Sequence, residues 1–341
     1  MKKHLNTLYV TTEGSYLAKE GEAVVVRRDG ESAMRVPIHM LDSVVCFGHV
    51  KMSVHAMALC AGRGVAISFM SPQGRFLARV HGFTRGSVLL RRAQFRASEA
   101  PERALELARV FVQAKLYNAR VLVLRAIRDH SDPTGRLATE AEHLRRCIRG
   151  AAEAQDMNRL RGIEGEGSRH YLSALWDAIR NPDPAFRTHE RSRRPPRDPV
   201  NALLSFVYAL LASDLRSACE AVGLDPQVGF LHADRPGRPA LALDLMEELR
   251  PVLADRTVLS LINRQQVNAA DFIREVGGAM RMRDQARKEV LVQYQKRKAE
   301  EIEHPFLGEK VTLGIVPLLQ ARLLAKAIRG EVDAYPAYLW R

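Results

Sequence analysis

The sequence predicts an α+β protein: a small β-rich domain over residues 1–84, a connector over 85–100 and a larger all-α-helical domain over 101–341. Three observations predict it. Brief β-branched runs separated by Gly, Asp and Pro turn signals fill the first quarter of the chain. From about residue 99 the apolar residues recur at helical spacing. A length of 341 residues is also more than one hydrophobic core usually organises.

The first strands are Thr7-Leu8-Tyr9-Val10, Ala23-Val24-Val25-Val26 and Ser43-Val44-Val45-Cys46-Phe47. One helix interrupts them, with Ser53 as N-cap, Met57-Ala58-Leu59-Cys60 as its apolar stretch, and Gly62 and Gly64 closing it. The strand Val65-Ala66-Ile67-Ser68-Phe69-Met70 follows, and Gly74 turns the chain into Arg75-Phe76-Leu77-Ala78-Arg79-Val80. After Arg85-Gly86 the pattern becomes helical, as in Ala104-Leu105-Glu106-Leu107-Ala108-Arg109-Val110-Phe111-Val112. Residues 187–199 hold Arg187, Arg191, Arg193, Arg194 and Arg197 among three prolines, which makes a basic loop, because proline is excluded from helix interiors. A helix opens near Asn201 and runs through Tyr208-Ala209-Leu210-Leu211; further helices and an aromatic tail, Tyr335 to Trp340, end the chain.

With 52 Lys+Arg against 39 Asp+Glu, the net charge of +13 favours polyanionic partners, nucleic acid above all. A membrane surface is the weaker expectation. No apolar run reads as long enough to span a bilayer, and Met1-Lys2-Lys3 opens a polar stretch instead of a signal peptide. Cys46, Cys60, Cys147 and Cys219 are scattered without a C-x-x-C pair and read as reduced, partly buried thiols of a cytoplasmic protein.

Candidate chemistry gathers late in the chain. Asp244 and Glu247 are three residues apart on an apolar helix, so they share a face, and His232 ends the apolar lead-in Gly229-Phe230-Leu231. Burying such carboxylates is costly unless a cation or an arginine such as Arg250 offsets it. A histidine with two carboxylates and no cysteine suits manganese or magnesium better than structural zinc. Spacing alone also fits a solvated acidic helix face and a capping histidine. Earlier, Glu164 and Glu166 sit in Gly162-Ile163-Glu164-Gly165-Glu166-Gly167, which reads either as close helix packing or as an acidic loop, and composition does not choose between the two glutamates.

These strings, in order, resemble the CRISPR-associated spacer-acquisition integrase family, the "Cas-one" endonucleases. Leu160-Arg161-Gly162-Ile163-Glu164-Gly165 followed by Tyr171 is similar to the family's first acidic motif. Asn201 to Leu211, Gly229-Phe230-Leu231-His232 and Leu243-Asp244-Leu245-Met246-Glu247-Glu248-Leu249-Arg250-Pro251 resemble its later ones. Asn6 to Gly14, Phe47-Gly48 and Gly64 to Phe69 extend the likeness through the N-terminal part; His304-Pro305-Phe306-Leu307-Gly308 and Gln320 to Ala325 look like the subtype I-C branch.

The resemblance implies metal ligands at Glu164, His232 and Glu247, with Asp244 supporting the site, Glu166 an exposed companion and Tyr208 near the DNA. It implies a divalent cofactor, Mn2+ or Mg2+, and joining of DNA 3′ ends into a repeat array, with nicking of branched DNA as the same chemistry. It further implies a homodimer formed through the β-rich domain, and a small ferredoxin-like second CRISPR-associated protein as partner. Arg187, Arg191, Arg193, Arg194, Arg197 and Arg250 are the expected contacts to double-stranded or branched DNA. Gly167-Ser168 stands where relatives usually carry two alanines, a departure expected to affect packing more than chemistry. Two other readings remain: a stand-alone metal-dependent repair nuclease, and a non-catalytic DNA-binding scaffold of the same fold.

Overall fold

The computed structural model describes residues 7–80, 82, 87–130 and 132–341; Met1-Lys2-Lys3, Asn6 and the Arg85-Gly86 transition lie outside the described residues. The chain divides into two compact units, residues 1–85 and 86–341.

The first unit holds strands β1 (Thr7–Val10), β2 (Tyr16–Glu20), β3 (Ala23–Arg28), β4 (Glu31–Pro37), β5 (Ser43–Phe47) and β6 (Lys51–Met52), then helix α1 (Val54–Arg63) and strands β7 (Ala66–Met70) and β8 (Phe76–Val80). They form two four-stranded sheets, in the orders β1-β5-β7-β8 and β4-β3-β2-β6. In the first sheet β1, β5 and β7 run parallel and β8 is antiparallel. The Ser53 hydroxyl accepts the Ala56 N–H at 3.1 Å, and Gly64, at φ 74°, ends α1 in the left-handed conformation that costs glycine little. Val24, Val44, Cys46 and Ile67 are completely buried in this unit's core. Burial of each such aliphatic side chain contributes about 1.5–3 kcal/mol. Strand β4 escapes the sequence pattern because most of its residues are exposed, leaving no apolar alternation to read.

The second unit contains α2 (Val88–Glu99), α3 (Pro101–His130), α4 (Arg136–Glu153), α5 (Met157–Asp177), α6 (Pro199–Val222), α7 (Ala240–Leu249), α8 (Arg256–Asn263), α9 (Asp284–Ala299) and α10 (Val316–Arg329). Residues 88–99, expected as connector, are the helix α2, with Leu90 buried and Gln94 donating to the carbonyls of Asp225 and Val228 at 2.8 Å each. The unit is also not wholly helical. Two short hairpins interrupt it, β9 (Phe272–Arg274) with β10 (Met280–Met282), and β11 (Glu301–Glu303) with β12 (Lys310–Thr312). Three-residue strands are too short to show a period in the sequence; Gly278 at φ 77° and Gly308 at φ 65° permit the turns.

The thirty-residue α3 packs against α4, α5 and α7 and so forms the wall on which the site is assembled. Helix α6, against expectation, is long and apolar enough by length and composition to cross a membrane; more than half of its apolar window is buried inside the unit, where it packs on α7 and α10. All four cysteines are free and buried, and burial pushes the Cys46 thiol up to about 12 and that of Cys60 to about 11.

The aromatic tail is anchored through Asn118 and Glu248. Asn118 Nδ2 donates to the carbonyls of Glu248 (2.7 Å) and Tyr338 (2.8 Å), and its Oδ1 accepts the Trp340 N–H at 2.7 Å. Glu248 accepts from the Tyr335 hydroxyl at 2.5 Å and the Tyr338 N–H at 2.7 Å. Burial pushes the Glu248 carboxyl from 4.5 up to about 7, and these hydrogen bonds only partly oppose the shift. Between those two pH values the folded protein holds a proton that the unfolded chain has released, so stability falls as pH rises through that window and levels above it. Glu248→Gln is expected to remove about one proton's worth of this slope, measured by thermal unfolding between pH 5 and pH 8; an unaltered profile contradicts the assignment.

Candidate active site

The site lies on the floor of a cleft of about 1410 Å³ in the helical unit. Helix α5 supplies its first acid. The Asp156 carboxylate caps this helix by accepting the Arg159 N–H at 2.8 Å. Interior glycines cost a helix about 1 kcal/mol each relative to alanine, and at Gly167 packing supplies the reason. A Cβ there would meet Leu116 of α3 at 2.3 Å. With the two helices this close, Glu164 Oε1 makes a short ion pair with Lys115 Nζ of α3. The same oxygen accepts from the Ser168 hydroxyl at 2.9 Å. The Gly167-Ser168 pair therefore bears on the site as well as on packing, which corrects the expectation drawn from the sequence. Glu166 is exposed.

Helix α7 supplies the second acid, and its two carboxylates have different tasks. Fully buried Asp244 turns to the 229–232 segment: Oδ2 accepts the N–H groups of Phe230 (2.6 Å) and Leu231 (3.1 Å), and Oδ1 accepts that of His232 (3.0 Å). A Cβ on Gly229 would lie 2.8 Å from Asp244 Oδ2 and from Ala240 Cβ, so this approach needs glycine. Arg161 of α5 donates to the Leu231 carbonyl at 2.8 Å and holds the segment from the other side. Asp244 Oδ1 also lies 2.6 Å from His232 Nδ1. That contact turns Nε2 toward Glu247, whose Oε1 is 3.8 Å away. A carboxylate that orients a histidine in this way is the usual support behind a metal-ligating imidazole.

Glu247 is buried between cations. Lys115 Nζ lies 2.8 Å from its Oε2, off the hydrogen-bonding direction, so that buried oxygen has an ion pair but no directed hydrogen bond. Arg250 Nη2 lies 3.2 Å from Oε1. Burial alone pushes this carboxyl up; Arg250, Lys115 and His232 together outweigh it and hold it at about 2. One ammonium thus serves two carboxylates from different helices.

Beyond α7 the helix widens into a π-helical segment, Arg250–Asp255, before α8. Such segments are rare and recur at functional sites. Asp255 is fully buried and accepts from the hydroxyls of Tyr171 (2.5 Å) and Tyr208 (2.6 Å). Burial raises its pKa and that of both tyrosines. The guanidinium groups of Arg250 and Arg191 lie 5.0 and 5.5 Å from the Tyr208 ring centre. Arg191 also donates to Asn201 Oδ1 (2.7 Å) and Ser205 Oγ (3.0 Å).

Of the six arginines expected to meet DNA, Arg191 and Arg250 are therefore engaged in the cleft's own wall. Arg193 and Arg194 are exposed along the cleft, together with Arg136, Arg169 and Arg235 and the half-buried Arg238, whereas Arg187 and Arg197 lie outside its lining. The structure brings Glu164, His232, Glu247, Asp244 and Tyr208 together and adds Lys115, Ser168 and Asp255. Lys115 carries a legible signal, since it interrupts the apolar stripe of α3 between Phe111 and Ala119. Asp255, the acid that ends Arg250-Pro251-Val252-Leu253-Ala254, carries a similar one.

Glu164, His232 Nε2 and Glu247 form a donor set that fits a hard divalent cation, and a lysine ammonium already stands between the two carboxylates. Among the described residues, the trio with ligand atoms all within 4.8 Å of one another is a different one, Glu140, His143 and His170, outside the cleft lining.

Fold and site together define a helical centre in which acids and a histidine lie beneath an arginine-rich rim. The family profile described as "CRISPR associated protein Cas1" matches residues 8–296. The "CRISPR-associated endonuclease Cas1 1" of Chlorobaculum tepidum is 53% identical over 343 residues, covering 100% of both chains. Among solved structures, "Casposase bound to integration product" superposes with a TM-score of 0.84 at 21% identity, over 98% of this chain and 94% of that one. A "Cas6-RT-Cas1--Cas2 complex" gives a TM-score of 0.82 at 21% identity, over 100% of this chain and 36% of that one. The chain belongs to the CRISPR-associated Cas1 family, whose similar curated members are named endonucleases.

If Lys115 is the resident counter-cation of both acids, Lys115→Met in metal-free buffer lowers the unfolding free energy by about 3 kcal/mol, the cost of stripping one partner from a buried ion pair. Saturating Mn2+ should then raise the melting temperature of the variant more than that of the wild type. Equal Mn2+ shifts in the two proteins contradict a shared cation position.

Proposed function

We propose that this protein is a metal-dependent DNA integrase that joins short foreign DNA segments, as new spacers, into a CRISPR array, and that it nicks branched DNA by the same chemistry. The observation that carries this reading is that Glu164 and Glu247 share the Lys115 ammonium, with His232 Nε2 3.8 Å from the other oxygen of Glu247, at the floor of a basic cleft. These three residues are the proposed ligands of Mn2+ or Mg2+. A divalent cation there supplies Lewis acidity, polarising a phosphoryl oxygen and neutralising charge as it develops.

The chain's own residues set up the rest. Asp244 locks the His232 ring and the 229–232 backbone, so Nε2 is presented without reorganisation. Arg193, Arg194, Arg235 and Arg238 on the rim attract the phosphate backbone, giving salt-dependent affinity that is largely independent of sequence. In the joining step a DNA 3′ oxygen forms a bond to phosphorus as the bond to the displaced oxygen breaks, so no enzyme nucleophile is needed. Tyr208, its hydroxyl committed to Asp255, presents its ring beside two guanidinium groups at the edge of the path DNA would take.

A homodimer through the β-rich unit is part of the proposal, supported by the exposed Met34, Met40, Phe76 and Leu77 on that unit. A second, small ferredoxin-like CRISPR-associated partner is supported by the Cas1–Cas2 complex among the similar structures. Cytoplasmic action agrees with four free cysteines and no disulfide among them. The joining reading is preferred to a stand-alone repair nuclease because the casposase of closely similar fold is captured with an integration product. The scaffold reading is disfavoured because all three proposed ligands, Glu164, His232 and Glu247, are present and line one cleft.

The test is strand transfer on supercoiled repeat DNA with the small partner present. His232→Ala is expected to reduce Mn2+-dependent joining about a hundred- to a thousandfold, the range seen when one key electrostatic group is removed. DNA affinity and its salt slope should remain near wild type. Retained joining overturns the site assignment, and loss of binding in parallel points to a folding defect.

A further inference from the structure

Outside the cleft, α4 and α5 bring together three side chains of a different character. Glu140 and His143 are three residues apart on one face of α4, and His170 faces them from α5. One ligand atom from each lies within 4.8 Å of the other two. His170 Nδ1 is 2.6 Å from Glu140 Oε2, and the rings of His143 and His170 stack with centroids 4.2 Å apart and planes 8° from parallel. All three side chains are half-buried, and none lines the cleft. Glu166, one turn before His170 on α5, places Oε1 3.9 Å from His170 Nε2.

We propose that Glu140, His143 and His170 form a second cation site, for a zinc-class transition metal, that clamps α4 to α5. The donor set selects the metal. Two imidazoles with one carboxylate match the nitrogen-rich preference of zinc, whereas the cleft, with two carboxylates and one imidazole, suits harder cations. A Glu-x-x-His pair on one helix facing a ligand on its neighbour is a recurrent way to build a metal centre between helices. Glu166 or a water molecule completes a four-coordinate shell.

The position gives the site a structural role. His170 follows Glu164 by six residues on the same helix, so a metal at this point braces the helix that presents the first acid of the cleft without touching the cleft itself. The inference stands independently of the DNA-joining reading.

The experiment is a Zn2+ titration of the full-length protein against a chromophoric chelator, with thermal unfolding in parallel, in a Glu164→Ala/His232→Ala background that silences the cleft. One Zn2+ equivalent should persist in that background and raise the melting temperature. Adding His143→Ala and His170→Ala should weaken its affinity by at least about tenfold and abolish the thermal shift. Glu140→Gln, close to isosteric, should weaken it in the same direction; if the alanine pair loses its helical circular dichroism, His143→Gln with His170→Gln replaces it. Absence of any bound equivalent in the cleft-silenced protein overturns the proposal, as does affinity unchanged by the second-site substitutions.

Discussion

Three helices far apart in sequence are tied together by one ammonium group. Lys115 of α3 reaches Glu164 of α5 and Glu247 of α7, and this shared contact joins the two acids of the site. Buried carboxylates are tolerated only when paired. Gly167 allows α5 to approach α3, and Asp244 fixes the segment that carries His232. Arg250 supplies the remaining counter-charge to Glu247. The outcome is an ammonium held between two carboxylates that come from separate helices.

Neighbouring acids on α7 show how strictly environment sets chemistry. Asp244, Glu247 and Glu248 lie within five residues and are all buried, yet they do three different things. Asp244 neutralises backbone N–H groups and orients a ring. Glu247 lies between the cations Lys115 and Arg250 and is held at about 2. Glu248, pointing away toward the tail, meets only neutral donors and rises to about 7. Residue type and spacing are shared; the number of cations within reach decides the role.

This also explains how far the sequence could be read. The two-part plan, the strands of the first sheet and α1 with its Ser53 cap were legible because β-branched runs and capping residues act locally. Asp244 and Glu247 were legible as a pair on one helix face, but not their division of labour, which depends on the 229–232 segment folding back over α7. Nor could spacing distinguish Glu164 from Glu166, because what separates them is Lys115, forty-nine residues before Glu164 on another helix, which pairs with Glu164 while Glu166 stays exposed. Helix α2 and the two hairpins escaped because connectors and three-residue strands carry too little periodicity.

The central claim is that the Lys115 ammonium occupies the position that a divalent cation takes when Glu164, His232 and Glu247 act as ligands. Anomalous scattering from crystals of the protein grown with Mn2+ tests this most directly. The account predicts a manganese peak bounded by Glu164, His232 Nε2 and Glu247, with the Lys115 side chain displaced from between the two carboxylates. A manganese peak elsewhere, or Lys115 still bridging both acids at saturating Mn2+, would contradict it.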